Sequence, residues 1–111
     1  MQEILPLISE IADEKQAFDI SIIDLKKMTY LAEYFYICSG DSTTQVRAIA
    51  EGMVEKLKKV NVKLWHYEGM ADSRWILLDF GSVIVHIFHK ETRVFYDLES
   101  LWENVPKTRE V

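Results

Sequence analysis

One stretch of the chain, residues 75–88 with the sequence WILLDFGSVIVHIF, restricts the fold more than any other. Its turn residues lie within Phe80-Gly81-Ser82, so two apolar strands meet there as a β-hairpin. A two-residue loop at either Phe80-Gly81 or Gly81-Ser82 divides the side chains between the same two faces. One face carries Trp75, Leu77, Asp79, Ile84, His86 and Phe88, and the other carries Ile76, Leu78, Val83, Val85 and Ile87. The second face is wholly apolar, which predicts that it belongs to the core.

The mixed face of this hairpin has two interpretations. A helix could cover it, with His86 satisfied by an internal hydrogen bond, because exposed apolar patches are uncommon on soluble proteins. Part of it could instead stay open as an aromatic patch with a polar rim, which is typical of protein-docking surfaces. The hairpin by itself favours the covered arrangement and leaves the open one as the alternative.

Patterns elsewhere place this hairpin within an α/β domain. Apolar residues at helical spacing predict a first helix over about residues 2–15, and Ser42 with Gln45 has the form of a capping box that begins a second helix. Three further strands are predicted at FDISIIDLKK, YFYICS and NVKLWHYEG, and a short closing helix at YDLESLW with Leu98, Leu101 and Trp102. Consecutive strands lack the helical crossovers of a parallel sheet.

We therefore predict a single domain over residues 1–105, followed by a flexible tail at 106–111. Its fold class is α/β, with a mixed five-stranded sheet flanked by helices in the order α-β-β-α-β-β-β-α. The second helix should bury one apolar stripe, which consists of Val46, Ile49, Ala50, Met53, Leu57 and Val60.

The charge and composition narrow the classes of partner. Eighteen acidic against thirteen basic residues give a net charge of −5, which has the wrong sign for a general nucleic-acid binder and suits a basic protein surface. The single cysteine, Cys38, lies in an apolar run typical of a buried thiol and excludes an internal disulfide. The sequence has no export signal and no apolar segment of about 20 residues, so we expect a cytoplasmic protein.

Catalytic interpretations of the same residues fail on spacing. The SGDS turn at 39–42 could hold an anion at a helix start, as in nucleotidyltransferases, which combine such a turn with two metal-binding acids. Asp79 would be one of those acids, but neither residue two positions away from it is acidic. His86 and His89 point to opposite faces of a continuous strand, which argues against a zinc site. We predict no enzymatic activity, no cofactor and no metal.

Six segments together resemble the ribosomal silencing factor family, also called Iojap-like proteins. In chain order they are DISIIDL, YFYICSG, QVRAIAE, EG at 68–69, WILLDFGSVIVHIF and RVFYDLESLW. The resemblance runs from about Ala17 to Trp102 and rests on the order and spacing of all six. The fold of that family resembles nucleotidyltransferases without their catalytic acids, which agrees with the incomplete metal-site pattern.

The resemblance implies a translation inhibitor without enzymatic activity. Members of the family bind the large ribosomal subunit through its fourteenth protein, a basic protein, and block the joining of the small subunit when nutrients are short. The open interpretation of the mixed hairpin face then becomes the preferred one. On this basis we expect Trp75 and Leu77 to be apolar anchors, and Asp79 to pair with a Lys or Arg of the partner. His86, Arg93, Tyr96 and Asp97 are further candidates for partner binding.

Several alternatives remain open at this point. Ser82 stands where the family more often has Asp, and Thr44 stands where it more often has Arg. Because the acid at the bend is missing, we expect apolar contact to contribute more to partner affinity than charge pairing does. Tyr96 and Asp97 could equally serve as packing and helix cap, and Arg93 as a solvated charge. A large-subunit assembly factor and a degenerate nucleotidyltransferase are the alternative functions. An apolar sheet face could also pair two copies of the free protein.

Overall fold

The computed structural model describes residues 4–102 and 107–110. Its elements, in chain order, are α1 (Ile4–Glu14), β1 (Phe18–Asp24), β2 (Tyr34–Gly40), α2 (Thr43–Lys58), β3 (His66–Glu68), β4 (Trp75–Asp79), β5 (Val83–His89), α3 (Lys90–Tyr96), a 3-10 helix (Leu98–Trp102) and β6 (Lys107–Glu110). The predicted α/β class and the five predicted strands are confirmed. Within these ranges, no helix is long and apolar enough to cross a membrane.

The strands form one mixed sheet in the order β3-β4-β5-β2-β1-β6. β2 and β5 run parallel at its centre, and the other neighbouring pairs are antiparallel. β6 was not predicted, because residues 107–110 fall in the segment expected to be a flexible tail. This segment pairs with β1 instead, since an edge strand offers unpaired backbone groups to any extended chain beside it.

Helices α1 and α2 cover one face of the sheet. Their buried side chains include Ile8, Ala12, Ile49, Met53 and Leu57, which meet the apolar hairpin residues Ile76, Leu78, Val83, Val85 and Ile87. This confirms that the apolar side of the hairpin faces the core. The predicted stripe on α2 is also confirmed apart from Val60, which lies beyond the helix end and is 49% exposed.

The start of α2 is fastened to the end of α1 by one side chain. Ser42 Oγ accepts a hydrogen bond from the Gln45 backbone N–H at 3.1 Å, as the predicted capping box requires. The reciprocal bond differs, because the Gln45 side chain accepts from the Asp41 N–H rather than from Ser42. Its amide group also donates to the carbonyls of Lys15 and Gln16, which lie just after α1.

The other face of the sheet is covered only in part. Leu25 and Ala32, from the β1–β2 connection, pack at one side against Ile23 and Ile37. At the carboxyl ends of β2 and β5 the cover comes from α3 and the 3-10 helix, with Leu98 packed against the same cluster. The sequence did not predict α3, because its seven residues are too short to show a helical stripe.

Cys38 lies on the helix-covered side of β2. Its side chain is fully buried, and this burial raises the pKa of the thiol to about 12. The prediction of a buried thiol is therefore confirmed, and the group stays protonated at neutral pH.

Candidate docking surface

The register of the hairpin agrees with the sequence prediction. Trp75 lies opposite Phe88, and Asp79 lies opposite Ile84. The loop consists of Gly81 and Ser82, one of the two predicted pairs, with Gly81 at a φ of +92°. The Asp79 carboxylate accepts a hydrogen bond from the Gly81 N–H at 2.8 Å, which holds the chain in this turn. The two faces of the hairpin are therefore those predicted.

On the partly covered side of the sheet, five side chains are half-buried and form what we call the open sheet face. They are Phe35 on β2, Trp75, Leu77 and Asp79 on β4, and Ile84 on β5. Because the β1–β2 connection and α3 cover only its margins, this face combines two aromatic rings and two aliphatic side chains with a carboxylate. Both interpretations of the mixed face are thus partly right: His86 and Phe88 are covered, and the other side chains of this hairpin face remain half-buried.

A second carboxylate borders the open sheet face. β3 pairs with β4 so that His66 lies opposite Asp79 and Glu68 lies opposite Leu77. Glu68 is exposed and lies 2.7 Å from His66 Nε2. Sequence reasoning missed Glu68 as a site residue, because its place beside Leu77 depends on the β3–β4 register. The alternation in WHYE would have given the correct face once that register was known.

Trp75 makes ring contacts and a hydrogen bond within the face. Its indole stacks on Phe88 with ring centroids 4.8 Å apart, and it lies 5.0 Å from the ring of Tyr96. Its Nε1–H donates to Nδ1 of His86 at 3.1 Å. Tyr96 is exposed, so the aromatic surface of Trp75 continues onto α3. The structure therefore brings Tyr96 together with the predicted anchors.

His86 is placed differently from its predicted role. Its side chain is only 4% exposed, and it lies under Trp75 with its ring 4.6 Å from that of Phe35 in an edge-to-face arrangement. Burial lowers the pKa of the imidazole to about 4. A partner docking on this face would therefore meet a neutral histidine covered by aromatic rings, rather than an exposed one.

This burial should make stability depend on pH in a defined window. His86 protonates near its ordinary pKa of about 6.5 in the unfolded chain but only near pH 4 in the folded one. The unfolded state therefore takes up the proton first as the pH falls from 6.5 towards 4, and the free energy of unfolding should drop by about 3 kcal/mol. Urea titrations at a series of pH values measure this drop. His86→Phe should lose less stability across the same window, and equal losses would contradict the assignment.

Arg93 and Asp97 interact with their own chain. Arg93 is 9% exposed, and its guanidinium donates to Ser39 Oγ at 2.8 Å, to Glu99 at 3.0 Å and to the Asp19 carbonyl. The interpretation of Arg93 as a solvated charge is therefore wrong, because the network fastens α3 to β1 and β2. Asp97 is exposed and ends α3 in the left-handed conformation at a φ of +47°, which agrees with a helix-cap role.

The described residues do not assemble a metal-binding cluster. Within 4–102 and 107–110, no group of three His, Cys, Asp or Glu side chains is placed to hold an ion. The carboxylate of Asp79 is already engaged by the hairpin turn. The described residues form a small α/β domain with a partly exposed apolar face and an acidic border.

Comparison with known proteins defines the family. Residues 1–111 match the family described as "Ribosomal silencing factor during starvation". The chain is 38% identical over 105 residues to the ribosomal silencing factor RsfS of Bacillus subtilis, covering 95% of this chain and 89% of that protein. The chain therefore belongs to the ribosomal silencing factor family, as the six sequence segments indicated.

A solved structure and a more distant relative extend this result. The crystal structure of a Chromobacterium violaceum protein superposes with a TM-score of 0.90 at 34% identity, covering all of this chain and 92% of that one. A mouse protein named "Mitochondrial assembly of ribosomal large subunit protein 1" is 31% identical over 101 residues, which cover 88% of this chain and 44% of that protein. The fold is thus shared within the family.

Proposed function

We propose that this chain represses translation by docking on the large ribosomal subunit and preventing the small subunit from joining. The family resemblance points to the fourteenth protein of the large subunit, a basic protein, as the partner. The observation that carries the proposal is the open sheet face itself, in which Trp75, Leu77 and Ile84 remain half-exposed beside the carboxylates of Asp79 and Glu68. Apolar anchors within a charged rim are the usual composition of such an interface.

The charge of the chain supports a basic partner. The net charge of −5 attracts a positively charged surface over distances of about 8 Å at physiological salt, and the two acids at the border of the open sheet face lie where they can pair with its cations. Of the seven candidate partner-binding residues, we propose that four contact the partner directly, namely Trp75, Leu77, Asp79 and Tyr96. Arg93 instead acts inside the chain, because it is buried and its Nε and Nη1 donate to Glu99, Ser39 and the Asp19 carbonyl.

Sedimentation through a sucrose gradient tests this function. The purified protein should sediment with isolated large subunits and should reduce the peak of joined ribosomes when small subunits are added. A protein that stays at the top of the gradient at low salt would refute the proposal. The same run with isolated small subunits is the control, since the proposal expects no co-sedimentation there.

The charge at Asp79 can be separated from its structural role. Asp79→Asn removes the negative charge but keeps an oxygen that can accept the Gly81 N–H, so the hairpin should stay intact. We expect large-subunit binding to weaken by about threefold, because exposed ion pairs contribute about 0.2–1 kcal/mol. Affinity measured at low and high salt checks the cause, since the difference from wild type should shrink as salt rises. Unchanged affinity at low salt would show that the Asp79 carboxylate does not pair with the partner.

A role in assembly of the large subunit is the second candidate, and the printed name of the mouse relative supports it. The same docking surface would serve either function, so the preferred particle separates them. An assembly factor should bind immature large particles more tightly than finished ones. A silencing factor should bind finished subunits at least as well.

A further inference from the structure

We infer that His86 is the positioning residue of the docking surface: it orients the indole of Trp75 for the partner and does not contact the partner itself. This inference rests on the proposed function, because it concerns the geometry of the proposed anchor. It assigns His86 a role different from the direct contact expected from the sequence. Three observations support it: the hydrogen bond from Trp75 to His86, the buried Nε2 of His86 that has no partner among the described residues, and the stacking of the indole on Phe88, which leaves its in-plane orientation open.

The hydrogen bond fixes the state of both rings. The indole Nε1–H can only donate, so Nδ1 of His86 must be the acceptor and must carry no proton. The proton of the neutral imidazole therefore lies on Nε2. The lowered pKa of His86 keeps this state in place throughout the neutral range. The pair is therefore present in one tautomer at neutral pH.

The opposite nitrogen of His86 shows that stability alone does not explain this residue. Nε2 is buried, and among the described residues it has no hydrogen-bond partner. A buried donor without an acceptor is destabilising, so an apolar ring such as phenylalanine would suit this position better on packing grounds. A buried polar group that lacks a hydrogen-bond partner is found mostly at functional sites. Among residues 4–102 and 107–110, the bond to Trp75 is the one hydrogen bond that the His86 side chain makes.

The hydrogen bond also fixes the orientation of the Trp75 indole, which ring packing alone does not fix. Stacking on Phe88 holds the plane of the indole, but a rotated indole can stack on the same ring. The bond from Nε1 to His86 is directional and favours one of these orientations, whereas the ring contacts with Phe88 and Tyr96 are not directional in this way. An anchor that already has its bound orientation loses less entropy when the partner arrives, which raises affinity without any new contact.

Two variants of His86 separate positioning from packing. His86→Phe keeps a ring between Phe35 and Trp75 but removes the acceptor, so it should be at least as thermally stable as wild type. Its binding to large subunits should nevertheless fall by about five- to tenfold, the value of one hydrogen bond. His86→Asn loses the ring but can place its oxygen where Nδ1 was, so it should be less stable and yet bind better than His86→Phe. A purely structural role predicts the reverse order of binding.

A background variant and a spectroscopic signal complete the test. In Trp75→Phe, which has no indole donor, the further change His86→Phe should leave affinity unchanged within twofold. In the free protein, His86→Phe should shift the indole N–H resonance of Trp75 and speed its exchange with solvent, with the resonance assigned from Trp75→Phe. An unshifted resonance, or equal binding of His86→Phe and wild type, would overturn the inference. If wild type itself does not bind large subunits, the proposed function fails, and the resonance still decides whether His86 orients Trp75.

Discussion

Replacing Trp75 with alanine is expected to weaken binding to the large ribosomal subunit by about thirtyfold or more, since buried tryptophan anchors commonly contribute 2 kcal/mol or more to an interface. Trp75 lies at the end of the open sheet face that borders α3, where its indole is half-buried and stacks on Phe88, so its removal deletes a large apolar contact surface. Affinity for isolated subunits, measured by fluorescence anisotropy of a labelled protein, gives the size of the loss. Circular dichroism should show the same secondary structure as wild type.

Tyr67→Ala is the matched control for Trp75→Ala. Tyr67 is also aromatic and is 57% exposed, but it pairs with Leu78 and so lies on the helix-covered side of the sheet. Its removal should change affinity by less than twofold. Equal losses for Tyr67 and Trp75 would point to a general effect on the edge of the sheet, and an unchanged affinity for Trp75→Ala in a folded protein would reject the site.

The second large effect concerns stability. Gly69 has a φ of +85°, and a Cβ atom at this position would lie 2.0 Å from the carbonyl oxygen of Trp75. Gly69→Ala must therefore both strain the backbone and push β3 away from β4, and we expect the free energy of unfolding to fall by about 3 kcal/mol or more. Urea unfolding followed by tryptophan fluorescence measures the loss. Because the displaced atom belongs to Trp75, binding to the large subunit should weaken as well.

Gly52→Ala provides the comparison for this effect. Gly52 lies within α2, where alanine is favoured over glycine by about 1 kcal/mol. The added methyl group would lie 3.1 Å from Ile11 Cγ2 and 3.3 Å from Lys15 Cε, so α1 must yield slightly. These terms oppose each other, and the free energy of unfolding should change by less than about 1 kcal/mol. If Gly69→Ala lowered the free energy of unfolding as little as Gly52→Ala does, the strain at Gly69 would have to be relieved by a small loop movement.

The part of the docking surface that alternation controls could be predicted from the sequence. A single turn at Gly81-Ser82 fixes which hairpin residues share a face, and that assignment needs no knowledge of the neighbouring strands. Helices α1 and α2 followed from apolar spacing in the same way, whereas α3 is too short to show such a stripe. Trp75, Leu77 and Asp79 were therefore found together before the tertiary structure was known.

The remaining features depend on neighbours that are distant in sequence. His86 is buried because the parallel pairing of β2 with β5 brings Phe35 beside it, and a mixed hairpin face does not reveal that pairing. Arg93 is buried because its network reaches Ser39 and Asp19 in two other strands. For Arg93 the residue type suggested exposure, and tertiary packing overrode that tendency, whereas the burial of His86 with an internal hydrogen bond agrees with the covered interpretation of the hairpin face.

The parallel pairing of β2 with β5 has a consequence for when the protein can act. These strands come from opposite halves of the chain, with α2, β3 and β4 between them, so their contacts are non-local and form slowly compared with those of the hairpin. Phe35 and Ile84 become neighbours only after this pairing, which requires β5 to have been synthesised. A chain still being translated therefore has no finished open sheet face, and the proposed docking surface is complete only when synthesis of the chain is nearly finished.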